Sequence, residues 1–292
     1  MACLECRRRS ALVAALTPAI SRLSLHRESL LSVLALPNAQ LLHAAKVKDR
    51  REFLRGLQLP LPSTRVPTAL CRHDPDYPET LAQLDCAPAV LYATCTTDRL
   101  REQLSKPTIA IVGSRTPTDY AQQIAAELAR DLAAAGATVI SGMNRGLEGT
   151  VHESALQARG HTIAVMSAGP DLAYPRANSR LHQSVLARGA AVSELPPGFC
   201  LRQRCTLIAH QRIIAALARL IVVVETGEHC GGLFTAQIGS ELGAEVAVVP
   251  GRVTDPGGQW VLGLLRDGAH PVACAEDVLH AIYGRDVCGL AA

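Results

Sequence analysis

Aromatic residues are scarce: three Phe, one Trp and five Tyr in 292 residues. So few rings leave little scope for holding a polymer of bases by stacking alone. No apolar run approaches the roughly 20 residues that a membrane-spanning helix needs. The opening MACLECRRRS is charged and no apolar stretch follows it, so no secretory signal is expected. Charge of either sign is in short supply too. The 29 Lys and Arg against 26 Asp and Glu give a formal +3, which excludes a broadly basic surface. Also absent are a Gly-x-Ser-x-Gly elbow, a Walker-type Gly-Lys-Ser/Thr loop and a His-Glu-x-x-His pair. No catalytic residue, metal site or cofactor is expected.

What is present is unevenly spread. Residues 1–60 hold 10 Lys or Arg and 4 Asp or Glu, an excess of +6, and the remainder carries −3. Ten cysteines without a signal segment predict a reducing cytoplasm and free thiols. Cys3-x-x-Cys6 is half of a zinc site. Only Cys200, Cys205 and His210 suggest themselves as a complement, and ordinary thiols are the expected reading.

Leu12, Leu16 and Ile20 recur every four residues. Leu30, Leu31 and Leu34 form a second apolar cluster, and Phe53, Leu54 and Leu57 a third. Residues 1–59 therefore read as a small basic helical domain. Leu59-Pro60-Leu61-Pro62-Ser63 breaks the period, and 60–104 reads as a linker and lead-in. From residue 105 short Val- and Ile-rich runs alternate with helical stretches. The runs are 108–112, 138–140, 162–165, 190–192, 220–224 and 245–249. Continuous apolar runs of this length suit parallel strands buried on both faces. The clearest helix spans 118–135, with Ile124, Leu128 and Leu132 on one face and Gly136 as its stop. The expected class is α/β, with a doubly wound, mostly parallel sheet over 105–285 and a tail at 286–292.

In such sheets ligands sit outside the carboxyl ends of the strands. The residues at those ends are Gly113-Ser114-Arg115, Ser141-Gly142 with Arg145-Gly146, Ser193-Glu194, Glu225 through Gly231-Gly232, and Pro250-Gly251-Arg252. Glycines and serines let backbone N–H groups approach a phosphate, and arginines grip its oxygens. A phosphate crevice is preferred to a set of plain turns. Glu148 and His152, four apart on a predicted helix, read as a buried structural pair.

The ordered motifs together resemble the DNA-processing protein A (DprA/Smf) family. They include Asp76-Tyr77-Pro78, Ala110-Ile111-Val112-Gly113-Ser114-Arg115, Ser141-Gly142-Met143-Asn144-Arg145-Gly146, Tyr174-Pro175, Asn178, Ser193-Glu194-Leu195-Pro196-Pro197-Gly198, Arg212-Ile213-Ile214-Ala215, Thr235-Ala236 and Val249-Pro250-Gly251. The resemblance runs from about Asp74 to Tyr283. It implies an extended Rossmann-like core with a SAM-like N-terminal domain. It further implies a cytoplasmic, non-catalytic homodimer that binds single-stranded DNA in natural transformation and recombination and helps load the RecA recombinase. The implied DNA contacts are Gly113, Ser114, Arg115, Ser141, Gly142, Arg145, Gly146, Arg202, Arg204, Arg212, Gly231, Gly232 and Thr235. The chain departs from the family pattern at Leu147-Glu148, His210-Gln211, Cys230 and Leu262. His210 in place of an Arg is expected to titrate near neutrality. The alternatives are a nucleotide-ligand sensor on the same fold and a scaffold that no longer binds DNA.

Overall fold

The computed structural model describes residues 2–23, 27–59, 63–201, 203–227, 230–255 and 257–284, without the side chains of residues 27 and 28. All six anticipated strands form within one residue or two of their expected ends. They are β3 (Thr108–Val112), β4 (Thr138–Gly142), β5 (His161–Val165), β6 (Ala190–Ser193), β7 (Leu220–Val223) and β8 (Glu245–Val248). Three short strands complete the sheet: β1 (Thr68–Leu70), β2 (Leu91–Ala93) and β9 (His270–Pro271). The order is β1-β2-β6-β5-β4-β3-β7-β8-β9. Every pair from β6 to β9 is parallel, and β1 and β2 are antiparallel additions at one edge. The segment read as a linker and lead-in thus supplies two strands.

The pleat divides the core. Ile109 and Ile111 of β3 face one layer, and Ala110 and Val112 face the other. The first layer is α7 (Asp119–Ala134), α8 (Leu147–Gln157) and α13 (Ala275–Tyr283). Thr118 caps α7 by accepting the Ala121 N–H at 3.2 Å, and Gly136 past its end has φ +86°. Leu128 and Leu132 are buried beneath α7, with Ile124 partly buried beside them.

The second layer holds α10 (Arg204–Leu217) and α11 (Gly231–Glu241). Twelve of the fourteen residues of α10 are buried, because α1 (Leu4–Leu23) and α2 (Arg27–Ala35) cover its outer side. Leu12, Leu16, Ile20 and Leu30 share one apolar cluster with Ile213, Ile214 and the sheet. α1 and α2 therefore pack as a third layer on the core, with the Ser10 hydroxyl 3.0 Å from that of Tyr92 on β2. α3 (Asn38–Ala44) buries Leu41 and Leu42 beside them, whereas α4 (Arg50–Arg55) only partly buries Phe53 and leaves Leu54 exposed. No helix among the described residues is long and apolar enough to cross a membrane.

Candidate nucleic-acid interface

The strand order reverses at β3: the chain proceeds to β4, β5 and β6 on one side, then crosses to β7 on the other. That topological switch point opens a crevice beyond the carboxyl ends of β3 and β7. A cavity of about 1180 Å³ lies there, lined by the loops after β3, β4, β7 and β8 and by the first turns of α10 and α11. Its walls are tied together. Glu225 after β7 accepts the Thr118 N–H at 3.2 Å and the Thr118 hydroxyl at 2.6 Å. The Tyr120 hydroxyl donates to the Pro250 carbonyl at 3.2 Å.

Gly146 determines how the β3 and β4 loops meet. Its φ is +85°, and a Cβ there would lie 2.5 Å from the Arg115 carbonyl oxygen. The loop after β4 can therefore rest directly on the backbone that carries Arg115. Gly146→Ala is expected to cost about 1–3 kcal/mol from the backbone conformation alone. Urea denaturation measures it, and unchanged stability would show that the loop adapts freely.

Gly113, Ser114, Arg115, Arg204 and Gly231 line the cavity. Ser114 Oγ accepts the Thr116 N–H at 3.1 Å, which shapes the turn below Arg115. Gly231 opens α11 at the place where a Cβ would collide with the Gln211 side-chain amide. Gly232 is buried against Val112, and the Thr235 hydroxyl donates back to the Gly231 carbonyl at 3.1 Å. Both support the α11 terminus without lining the cavity. Arg145 is exposed on the loop after β4 and stands outside the lining. Arg202 lies outside the described residues.

Three expected contacts have other duties. Ser141 is fully buried and donates to the Ile111 carbonyl at 2.7 Å, joining β4 to β3. The Gly142 carbonyl accepts from His152 Nε2 at 2.7 Å, while the His152 Nδ1 faces the Thr162 hydroxyl at 2.7 Å. Arg212 is also fully buried. It pairs bidentately with Glu194 at 2.7 and 2.6 Å and donates to the carbonyls of Cys86 at 3.1 Å and Ala209 at 2.6 Å. Burial works against its charge, but the Glu194 carboxylate outweighs that and holds the guanidinium firmly protonated. Every nitrogen of the guanidinium is thus engaged inside the protein, and none reaches the crevice.

His210 also departs from expectation. Burial lowers its pKa to about 4, so it is neutral at physiological pH. Its Nδ1–H points to the Thr206 carbonyl at 3.3 Å, and Nε2 accepts from Asn144 Nδ2 at 3.4 Å. Glu148, on the cavity floor, accepts the Asn144 N–H at 2.8 Å, and burial raises its pKa.

Several lining residues lie beyond the implied DNA contacts. Arg252, read from the sequence as part of a strand end, sits in the loop after β8. Tyr120, one of the few aromatics, is 53% exposed at the rim. Gln211 Oε1 and Thr226 Oγ1 are buried in the wall with no hydrogen-bond partner among the described residues. Each is an unmet polar group within the wall. Among the described residues the lining holds Arg115, Arg204 and Arg252 with three carboxylates, Glu148, Glu225 and Asp255. The crevice is a local arrangement of cations, with no uniform field.

The sequence profile of DNA recombination-mediator protein A matches residues 68–283. The chain belongs to that family. The Smf protein of Synechocystis is 33% identical over 216 residues, 74% of this chain and 54% of the relative. The chain spans about half the length of the first curated relatives it matches. The X-ray structure of DNA processing protein A from Streptococcus pneumoniae superposes with a TM-score of 0.70 at 25% identity, covering 94% of this chain and 95% of that one. A Helicobacter pylori DNA processing protein A structure, described for its single-stranded DNA binding mode, superposes with a TM-score of 0.64 at 25% identity. It covers 74% of this chain and 94% of that one. Membership in the DprA/Smf family accounts for the β1–β2 extension falling inside the matched region, since the match begins at the first residue of β1.

Proposed function

We propose that the protein binds single-stranded DNA in the crevice at the β3/β7 switch point, as a non-catalytic mediator of recombination and natural transformation. The observation that carries this reading is the convergence of Arg115, Arg204, Arg252 and the α11 N-terminus on one cavity beside an exposed Tyr120 ring. Phosphates take the arginines and the backbone N–H groups. One base stacks on Tyr120. A rigid duplex cannot present a base to that ring, so double strands bind less well.

Titration with a fluorescent single strand over a range of salt tests this. Arg115→Ala, Arg204→Ala and Arg252→Ala should each reduce the slope of log K against log salt by about 0.7. Tyr120→Ala should cost about 1–3 kcal/mol. Affinity that is flat with salt, or equal for double strands, rejects the reading.

Family membership extends the proposal to a cytoplasmic homodimer that helps RecA onto the bound strand. RecA filament formation on protein-coated single strands, with and without this protein, tests that step. A nucleotide-ligand sensor is the second reading, because the same arginines and α11 N-terminus also suit the phosphates of a mononucleotide. Thermal stabilisation by mononucleotides and not by oligonucleotides would favour it.

A further inference from the structure

A second group of chemistry-bearing side chains lies at the β1 edge of the sheet, away from the switch point. Cys3 immediately precedes α1, and Cys6 lies in its first turn. Cys71 immediately follows β1, and His73 is two residues on. Among the described residues this is the one group of His, Cys, Asp or Glu side chains whose donor atoms are arranged to hold a metal, and all four donors lie within 4.8 Å of one another.

The distances fit a tetrahedron. His73 Nδ1 is 3.4 Å from the Cys3 sulfur, 3.6 Å from that of Cys6 and 3.8 Å from that of Cys71. Zinc bonds of about 2.3 Å to sulfur and 2.0–2.1 Å to nitrogen, set at tetrahedral angles, put each S···N edge at about 3.6 Å. A disulfide would use two of these groups and leave the convergence of the other two unexplained.

The surroundings orient the donors. The Cys71 N–H donates to Asp74 Oδ2 at 2.8 Å, and the Asp74 N–H returns to the Cys71 carbonyl at 2.8 Å. This tight turn sets Cys71 and His73 on the same side. The Cys3 N–H points at the Cys71 sulfur at 3.5 Å, a contact that favours a thiolate there. Beneath lies a dry shell of Ala2, Val66, Ala69, Val90 and Tyr92. Ala2 N–H also bonds the Ala69 carbonyl at 2.8 Å, so the start of α1 already follows β1.

We propose that Cys3, Cys6, Cys71 and His73 bind one zinc ion that fixes the start of α1 to the edge of the sheet. Three thiolates and an imidazole fill all four positions, so the ion is structural and has no open site for chemistry. Cys200, Cys205 and His210 take no part: Cys200 is exposed elsewhere, the Cys205 thiol faces the Thr17 carbonyl, and His210 is held by Asn144 and Thr206.

Elemental analysis of the full chain, purified under reducing conditions without chelator, should find one zinc per chain. Cobalt(II) in its place should give the visible bands and near-ultraviolet thiolate charge-transfer band of a tetrahedral sulfur-rich site. Cys71→Ser should lose the zinc and the charge-transfer intensity. His73 is exposed, so His73→Ala keeps the fold and should bind cobalt with an altered spectrum, even if Cys71→Ser fails to fold. Arg115→Ala should retain the zinc in full. Reduced protein that holds no zinc and gives no cobalt spectrum overturns the proposal. So does zinc that survives both Cys71→Ser and His73→Ala.

Discussion

Arg212→Ala should destabilise the protein by about 3–5 kcal/mol, the usual cost of stranding one partner of a buried ion pair. Arg212 is 1% exposed and Glu194 12%, so water cannot replace the lost guanidinium. The substitution would also take the guanidinium from the Cys86 carbonyl. Urea denaturation measures the loss. Arg212→Lys should recover only part of it, because an ammonium cannot reproduce the forked pairing. Replacing both partners with apolar residues, as in Arg212→Met with Glu194→Leu, should recover more, since it removes both buried charges together. In protein that remains folded, Arg212→Ala should leave the salt slope of single-strand binding unchanged. A reduced slope with intact stability would mean that the guanidinium reaches phosphate after all.

Mild acid should be still more damaging. His152 and His210 each have a folded pKa near 4 against an ordinary 6.5, with burial as the principal cause. Above 6.5 both states are neutral at these positions and nothing is lost. As pH falls from 6.5 towards 4, the unfolded chain takes up these protons and the folded chain does not. Stability therefore declines across that window, by up to about 3 kcal/mol for each histidine, or about 6 for the pair. Glu148 works the other way, because its raised pKa lets the folded state take a proton before the unfolded one. The net effect remains a loss, as two histidines outweigh one carboxylate. His152→Gln should lower the slope of stability against pH by one proton, about 1.4 kcal/mol per pH unit within the window. Stability that is level between pH 6.5 and 4 would contradict the burial of both rings.

The parallel sheet was legible because its strands are buried on both faces, and that requirement writes itself as unbroken apolar runs such as Thr108–Val112 and Leu220–Val223. β1 and β2 were not legible. Each is three residues long, too short for any periodicity, and each is held in the sheet by its neighbours. The crevice was legible as an edge: Gly113, Ser114, Arg115 and Gly231 all line it. Which arginine faces it was not. Arg204 and Arg212 lie eight residues apart on α10, where burial of one and exposure of the other depend on α1, α2 and Glu194, all remote in sequence. His210 misled for the same reason, since a residue type carries its ordinary pKa only while it remains in water. Cys71 and His73 went unnoticed because 68 residues separate Cys3 from Cys71 and only folding unites them.

The matching of three arginines by three carboxylates among the described residues of the crevice also bears on timing. Opposed charges cancel beyond a Debye length of about 8–10 Å, so on the proposed reading an approaching strand would feel little pull until it is nearly seated. Encounter then proceeds at the unsteered pace of about 10⁵–10⁷ M⁻¹s⁻¹. Salt would then act chiefly on how long a strand stays, because the proposed grip is short-ranged.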